Sequence, residues 1–233
     1  MMPVMTPEMI LEAFGAESQV LSEVVAGTDD AAFARPSPCA PWTVAELVYH
    51  VRMTIGRLPG MLAAPEPAGP SLVSAAAYYR PDQRFSAAAN TDRIESAQGG
   101  AAALPDGPAR ARDLAGARQL AWDLLQVTPP GRVVQTRHGD RMLLTEFLRT
   151  RVLELAVHGL DLATALDRHP WMTALAAQVT EELLLPSAAA ARLRAQTGWD
   201  QVTAIAKLTG RHPVTPAETQ LIQTAGIQQL ALS

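Results

Sequence analysis

The sequence predicts an all-α protein: a four-helix bundle with a small β-hairpin before its fourth helix and a short helical extension at its C-terminal end. Three observations predict this class. Apolar residues recur at helical spacing in four long stretches. Most of these stretches begin at a capping residue or end at proline or glycine, and strand character occurs at one place only. With 233 residues, the chain is long enough to bury such a core.

The first two helices are both predicted to open at a threonine. Thr6 is followed by proline, whose missing N–H costs nothing at the first helical position, and the apolar stripe extends to about Gly27. Thr43 and Glu46 form a capping box, in which each side chain satisfies a backbone N–H of the other. We expect the second helix to continue to about Leu58.

The middle of the chain contains weaker patterns. Residues 60–71 are rich in proline, glycine and alanine and are predicted to be a loop, whereas residues 71–79 favour a helical stretch. Residues 80–106 lack a strong period and predict a long, mobile connection. The third long helix is expected over roughly Pro108–Val127, where a Thr-Pro-Pro-Gly sequence ends it.

The β-hairpin and the fourth helix follow. Residues 132–136 have strand character, and Gly139 with Asp140 can turn the chain into a second strand at residues 142–143. The fourth helix is expected from about residue 145 to residue 166. Long helices with one small hairpin are typical of a helical bundle.

The residues beyond the fourth helix also predict helices. Trp171–Leu185 and Trp199–Thr209 have helical spacing, and a capping box at Thr215 opens the last helix. We therefore expect two parts, a bundle over residues 1–168 and a helical extension over residues 169–233 that packs on it.

Composition narrows the classes of partner. The formal net charge is −4 and aromatic residues make up 5% of the chain, which disfavours binding to nucleic acid or to an anionic membrane. The N-terminal segment lacks the regions of a signal peptide, and no uncharged apolar run reaches transmembrane length. Cys39 is the single cysteine, which excludes an intramolecular disulfide and suits a reducing cytoplasm. We expect a cytoplasmic protein with small-molecule partners; a homodimer is an assembly that the sequence leaves open.

Four polar residues of the fourth helix share one face. Arg151, Glu154, His158 and Asp161 are spaced by three, four and three residues beside an apolar stripe. The common explanation of such a stripe is a solvated face with internal salt bridges. A second explanation is a site inside the bundle, because bundle metal sites are made from inward carboxylates and imidazoles on facing helices.

His50 favours the second explanation. It lies among apolar residues of the second helix, where a lone histidine is more often a hydrogen-bonded core residue than a ligand. Glu154 and His158, however, form an i, i+4 pair whose side chains converge over one turn. Two nitrogens and one carboxylate oxygen suit zinc or another divalent first-row metal, and three protein ligands leave one position open for water or substrate.

Two blocks of sequence contain these residues. Residues 39–51 have the pattern C-x-x-W-T-V-x-x-L-x-x-H, and residues 151–163 have the pattern R-x-x-E-x-x-x-H-x-x-D-L. Together they resemble the mycothiol-dependent maleylpyruvate isomerase family, over roughly residues 8–166.

The resemblance implies a DinB-like bundle in which His50, Glu154 and His158 bind a divalent metal, usually zinc. It also implies a cosubstrate, mycothiol or a related low-molecular-weight thiol, and an S-transferase or isomerase reaction on a small electrophile. Arg151 and Asp161 are the catalytic and cofactor-binding candidates. Arg151 either binds anionic groups or pairs with Glu154. Asp161 either hydrogen-bonds a ligand, orients a metal-bound imidazole or is a surface aspartate.

The C-terminal residues resemble a different subgroup. The isomerase itself carries an additional α/β domain, whereas segments 197–200 and 208–211 resemble bundle proteins with a short helical tail. A competing hypothesis is a non-catalytic metal-binding or ligand-binding DinB-like bundle that acts in stress response. A third is a lost metal site whose histidines fill the core.

Four further residues carry weaker signals. Cys39 is interpreted as structural, with a reactive thiol as the alternative. Trp42 is expected to pack at the start of the second helix. His138 lies in a turn and is predicted to be solvated. Arg211 follows a helix end, where its charge complements the helix dipole, and a role in substrate binding is the weaker alternative.

Overall fold

Helices account for most of the chain in the computed structural model, which describes residues 5–80, 82 and 86–227. In chain order the α-helices are α1 (Pro7–Ala26), α2 (Val44–Gly56), α3 (Leu58–Ala63), α4 (Ala75–Tyr78), α5 (Ala87–Ala102), α6 (Gly107–Val127), α7 (Leu144–Ala165), α8 (Ala174–Leu184), α9 (Ser187–Thr197), α10 (Gln201–Leu208) and α11 (Pro216–Ala225). A 3₁₀ helix lies at Asp30–Ala34, and two strands, β1 (Val133–Gln135) and β2 (Arg141–Leu143), precede α7.

The bundle is formed by α1, α2, α6 and α7, which pack against one another around one apolar core. α7 is the central helix, because it contacts α1 and α2 on the bundle side and α8 on the other. Sixteen of its 22 residues are buried. This burial excludes the explanation of the polar stripe on α7 as a solvated face, and the arrangement of the helices confirms the predicted all-α bundle.

Side-chain caps set the beginnings of three bundle helices. Thr6 Oγ1 accepts the N–H of Met9 at 3.3 Å, and the Thr43–Glu46 capping box is present. Asp106, which the sequence analysis did not single out, accepts the N–H of Ala109 at 2.7 Å. Each such cap stabilises its helix by about 1 kcal/mol, because it satisfies a backbone donor that has no partner inside the helix.

The predicted hairpin is confirmed. β1 and β2 pair antiparallel, with Val134 opposite Met142, and both of these side chains are buried against the core. The hairpin therefore connects the end of α6 to the start of α7 while covering one end of the bundle.

The prediction of a long connecting loop over residues 80–106 is wrong where the structure describes that range. α5 occupies residues 87–102 and packs along α2, whereas residues 81 and 83–85 lie outside the described residues. Its buried positions are Arg93, Ala97 and Ala101, one per turn. Because small or charged residues fill this face, the helix lacks the apolar period that sequence reasoning looks for.

The second predicted helix ends two residues earlier than expected, and a separate short helix follows it. α2 ends at Gly56, and α3 begins two residues later, so residues 60–63 are helical rather than part of a loop. Pro59 does not prevent this, because it lies in the first turn of α3, where its missing N–H needs no intrahelical partner. The helical stretch predicted at residues 71–79 is shorter, with α4 capped by Ser74.

The C-terminal extension is helical, as predicted. α8 packs against α7 and α1, and α10 packs against α8. Helix α9 was not predicted. α8 and α10 begin two or three residues later than predicted, after the caps Thr173 and Asp200. The division between residues 168 and 169 remains a prediction. Within the described residues, none of the helices combines the length and apolar character needed to cross a lipid bilayer.

Candidate metal centre

His50, Glu154 and His158 meet where α2 packs against α7. Nε2 of His158 lies 3.4 Å from Oε2 of Glu154, and Nε2 of His50 lies 3.8 Å from the same oxygen. The two imidazole rings are 5.0 Å apart and nearly perpendicular. The structure therefore brings together the three residues that the sequence analysis selected, with one candidate ligand atom from each within 4.8 Å of the others.

These spacings fit a divalent ion. Bonds of about 2.0–2.1 Å to a tetrahedral zinc ion place neighbouring ligand atoms about 3.3 Å apart, close to the two distances observed. Neither ring nitrogen of His50 has a hydrogen-bond partner among the described residues, although both are buried. A buried polar atom without a partner costs about 1–3 kcal/mol, and a metal ion would supply the missing partner of Nε2, the nitrogen that faces Glu154.

His158 is oriented from behind by Asp161. Nδ1 of His158 lies 3.0 Å from Oδ2 of Asp161, and both side chains are almost fully buried. A proton on Nδ1 makes this a hydrogen bond and fixes the ring with Nε2 facing Glu154 and His50. Trp42 stacks on His50 with ring centroids 4.6 Å apart, so the second imidazole is also held in place.

Burial and hydrogen bonding set the protonation of the three residues. Burial lowers the pKa of His50 to about 4, so this imidazole is neutral at pH 7. Burial alone would raise the pKa of Glu154, but the nearby imidazoles, that of His158 first and then that of His50, outweigh burial and hold the pKa of this carboxyl well below its usual range. Burial lowers the pKa of His158, yet its hydrogen bonds, that with Asp161 first, raise the pKa well above the ordinary value.

Tyr79 completes the surroundings of Glu154, and sequence reasoning missed it. Its hydroxyl lies 2.8 Å from Oε1 of Glu154 and 3.0 Å from the carbonyl oxygen of Thr150. A proton donated to Oε1 leaves Oε2 facing the histidines. Burial, and then the charge of Glu154, raise the pKa of Tyr79 well above 10, so the hydroxyl remains a donor.

A cavity opens beside His50 and Glu154, with about 500 Å³ of empty space counted to the solvent at its mouth. Four arginines from four different elements line it: Arg57 after α2, Arg93 on α5, Arg137 in the hairpin turn and Arg151 on α7. Burial and the charges of Arg137 and Arg151 lower the pKa of Arg57 to about 10. Burial is the larger cause of that shift and repulsion between the guanidinium groups is the smaller one. Four guanidinium groups around one cavity attract anions.

Arg151 belongs to this cavity. Its guanidinium lies 4.7 Å from the ring centroid of Phe147, and its Nε donates to Oγ1 of Thr150 at 3.1 Å. For Arg151, the predicted alternative to anion binding is an ion pair with Glu154. These contacts hold the side chain without one. His138, predicted to be solvated, is partly buried because the hairpin turn places it in the cavity wall beside Tyr78.

Asp161 lies on the opposite side of His158 from the cavity. Its neighbours there are Cys39, whose Sγ is 3.1 Å from Oδ2, and Arg211, whose Nε is 3.2 Å from Oδ1. Burial is outweighed by hydrogen bonds from His158 and Arg211, which lower the pKa of Asp161 to about 2. Of the roles predicted for Asp161, the geometry best fits orientation of the His158 imidazole. Arg211 contacts Asp161 as well as the carbonyl oxygen of Thr209 at the end of α10.

Comparisons with known proteins agree with this architecture. A sequence model of the family described as mycothiol maleylpyruvate isomerase N-terminal domain matches residues 14–163, a range that includes all three candidate ligands. The crystal structure of the mycothiol-dependent maleylpyruvate isomerase is similar in fold, with a TM-score of 0.53 and 17% sequence identity. The similarity covers 75% of this chain and 68% of that chain. A comparison with curated proteins gave no significant match.

Proposed function

Because the chain belongs to the mycothiol maleylpyruvate isomerase N-terminal domain family, we propose that it is a metal-dependent enzyme that uses a low-molecular-weight thiol. His50, Glu154 and His158 would hold a divalent metal, preferably zinc, and the thiol would be mycothiol or a related compound. The reaction would be transfer of the thiol to a small electrophile, or isomerisation of that electrophile.

One observation carries the proposal: the neutral imidazole of His50, buried without a hydrogen-bond partner among the described residues, faces Glu154 and His158 at the wall of an open cavity. A histidine that only filled the core would gain stability from a hydrogen bond that this one lacks. Three ligands beside an open cavity also leave room for an exchangeable fourth ligand, as in catalytic zinc sites.

A bound zinc ion would supply positive charge that lowers the pKa of a coordinated thiol and keeps it as the nucleophilic thiolate at neutral pH. The protein's residues would do the rest. Tyr79 and Asp161 fix the directions of Glu154 and His158. Arg151, with Arg57 near it, would bind an anionic group of the electrophile, and the rigid packing of α7 would keep that group at a fixed distance from the centre.

Metal analysis of the purified protein tests the first part of the proposal. We expect about one zinc per chain in the wild type, much less in His50→Ala and His158→Ala, and wild-type content in His169→Ala, whose imidazole is exposed and belongs to neither the candidate ligands nor the cavity lining. Equal zinc in all four proteins would refute the site. Circular dichroism establishes that the variants are folded.

Cobalt substitution and turnover test the second part. Adding mycothiol to the Co²⁺-loaded protein should produce a sulfur-to-cobalt charge-transfer absorption band. When an electrophile is then added, a transferase should consume the thiol, whereas an isomerase should convert an electrophile such as maleylpyruvate to its isomer and regenerate the thiol. Arg151→Met should raise KM for an anionic electrophile and leave the band unchanged. A protein that binds Co²⁺ but neither thiol nor electrophile would instead be a non-catalytic binding module.

A further inference from the structure

A chain of polar contacts joins the C-terminal extension to His158. Arg211 makes two parallel hydrogen bonds to Asp161, from Nε to Oδ1 at 3.2 Å and from Nη2 to Oδ2 at 3.3 Å. Oδ2 of the same carboxylate lies 3.0 Å from Nδ1 of His158. The carboxylate and the imidazole are nearly inaccessible to solvent, with 2% of each side chain exposed, so these charge-assisted contacts are not weakened by water.

The end of α10 holds Arg211 in place. The N–H of Arg211 donates to the carbonyl oxygen of Ala206 at 2.7 Å, and the N–H of Gly210 donates to that of Lys207 at 3.3 Å. This pair of bonds is a Schellman motif, which needs the left-handed backbone that Gly210 supplies with φ +76°. Nη1 of Arg211 also donates to the carbonyl oxygen of Thr209 at 2.8 Å, so both the backbone and the guanidinium are fixed.

Apolar packing fixes α10 itself against the bundle. Ile205, fully buried, belongs to a cluster with Leu160 of α7 and Leu184 of α8. Arg211 and His158 therefore belong to parts of the chain that pack together, and the carboxylate of Asp161 contacts both of them.

We propose that Arg211 is a positioning residue for the metal centre, acting from the extension through Asp161 to fix the imidazole of His158 with Nε2 facing Glu154 and His50. The proposal rests on the proposed function for the presence of the metal. Partners that hydrogen-bond to metal ligands change metal affinity by about 10–100-fold when removed. Arg211 is one contact further away, so we expect the low end of that range, about tenfold.

Zinc affinity, measured by competition with a chromophoric chelator, tests this proposal. Arg211→Met should bind zinc about tenfold more weakly than the wild type. Arg211→Lys keeps the charge but cannot form both hydrogen bonds to Asp161. Its zinc affinity should lie between those of Arg211→Met and the wild type. Arg194→Met is the matched control, since Arg194 is also in the extension and pairs with the buried Glu181 at 3.1 Å, away from the centre. It should bind zinc as the wild type does.

A readout without metal separates this proposal from the proposed function. In the metal-free protein, the Nδ1–H proton of His158 should give a slowly exchanging NMR signal that Arg211→Met broadens or shifts and Arg194→Met does not. Wild-type zinc affinity together with an unchanged imidazole signal in Arg211→Met would overturn the proposal, and Arg211→Lys decides the question if the methionine variant does not fold. A wild type that binds no zinc refutes the proposed function, while the imidazole signal still decides the role of Arg211.

Discussion

Glu154 contacts three other polar side chains, and each of its carboxylate oxygens has a separate set of neighbours. Oε2 faces His50 and His158, whereas Oε1 lies 2.8 Å from the hydroxyl of Tyr79. A carboxylate that faced a metal with one oxygen would be held by the tyrosine through the other. The direction of the carboxylate therefore depends on the residue that directly follows α4, a helix of four residues.

Tyr79→Phe should loosen Glu154 without removing a candidate ligand. We expect the free energy of unfolding to fall by about 1–3 kcal/mol, because a buried carboxylate oxygen loses its donor, and zinc affinity to fall by about tenfold. Urea unfolding and chelator competition measure the two effects. Tyr78→Phe serves as the control, since it removes a neighbouring hydroxyl that is hydrogen-bonded to Arg151 in the cavity wall, and zinc binding should stay at the wild-type level.

Glu17 on α1 provides a test of pH dependence away from the centre. Its side chain is buried, with Oε2 accepting the N–H of Thr173 at 2.8 Å, and burial raises its pKa above the ordinary value of 4.5. The folded state therefore binds this proton more tightly than the unfolded state. The contribution of Glu17 to stability is fully present below pH 4.5 and decreases as the pH rises through the raised pKa.

Glu17→Gln removes the charge and can keep the hydrogen bond to Thr173. Its free energy of unfolding should exceed that of the wild type at pH 7, and the difference should vanish at pH 4. Urea titrations at the two values measure this. A variant less stable than the wild type at both would show that the carboxylate itself, rather than its burial, determines stability at this position.

At the scale of residues, the sequence predicted the three candidate ligands together with Arg151 and Asp161, but not the rest of their surroundings. His50, Glu154 and His158 could be predicted because i, i+4 spacing and two sequence blocks mark them. Tyr79 and Arg57 could not be predicted, because they lie beside short helices without a strong period. Only tertiary packing brings them to the cavity. Their roles at the metal centre stay predictions until metal binding is measured.

At the scale of elements, α5 shows how a helix can pack without a strong apolar stripe. A Cβ atom on Gly100 would overlap the ring of Tyr49, so glycine is what allows α5 to approach α2 closely. Gly99, the preceding residue, is exposed and has open space around it. The sequence prediction failed here because close backbone approach, rather than large apolar side chains, stabilises the contact.

The two neighbouring glycines form a matched pair for mutation. Gly100→Ala should lower the free energy of unfolding by about 1–3 kcal/mol, because the aromatic ring or the helix must shift to accept the methyl group. Gly99→Ala should raise it by up to about 1 kcal/mol through helix propensity alone. Urea unfolding compares them, and equal effects at the two positions would contradict the packing described for α5.

At the scale of the whole molecule, the candidate centre joins α2 to α7, and Asp161 joins it to the extension. A metal that binds only the folded state adds to global stability, by about 2.7 kcal/mol at a free concentration one hundred times its Kd. For a chain of this size we expect removal of zinc with a chelator to lower Tm by roughly 5–10 °C. His158→Ala should show a much smaller effect of the chelator, and His169→Ala the full one; a chelator effect of the same size in His158→Ala would place the metal elsewhere.

The burial of α7 also has a consequence for the timescale on which the centre opens. Sixteen of the 22 residues of this helix are buried, whereas α11 contains no buried residue. Backbone amides in such a central helix exchange with deuterium only when the whole molecule unfolds, while those of a peripheral helix exchange through local fraying. Glu154 and His158 would therefore stay together through the ordinary fluctuations of the protein, and an ion between them would leave through its open face rather than through separation of its ligands.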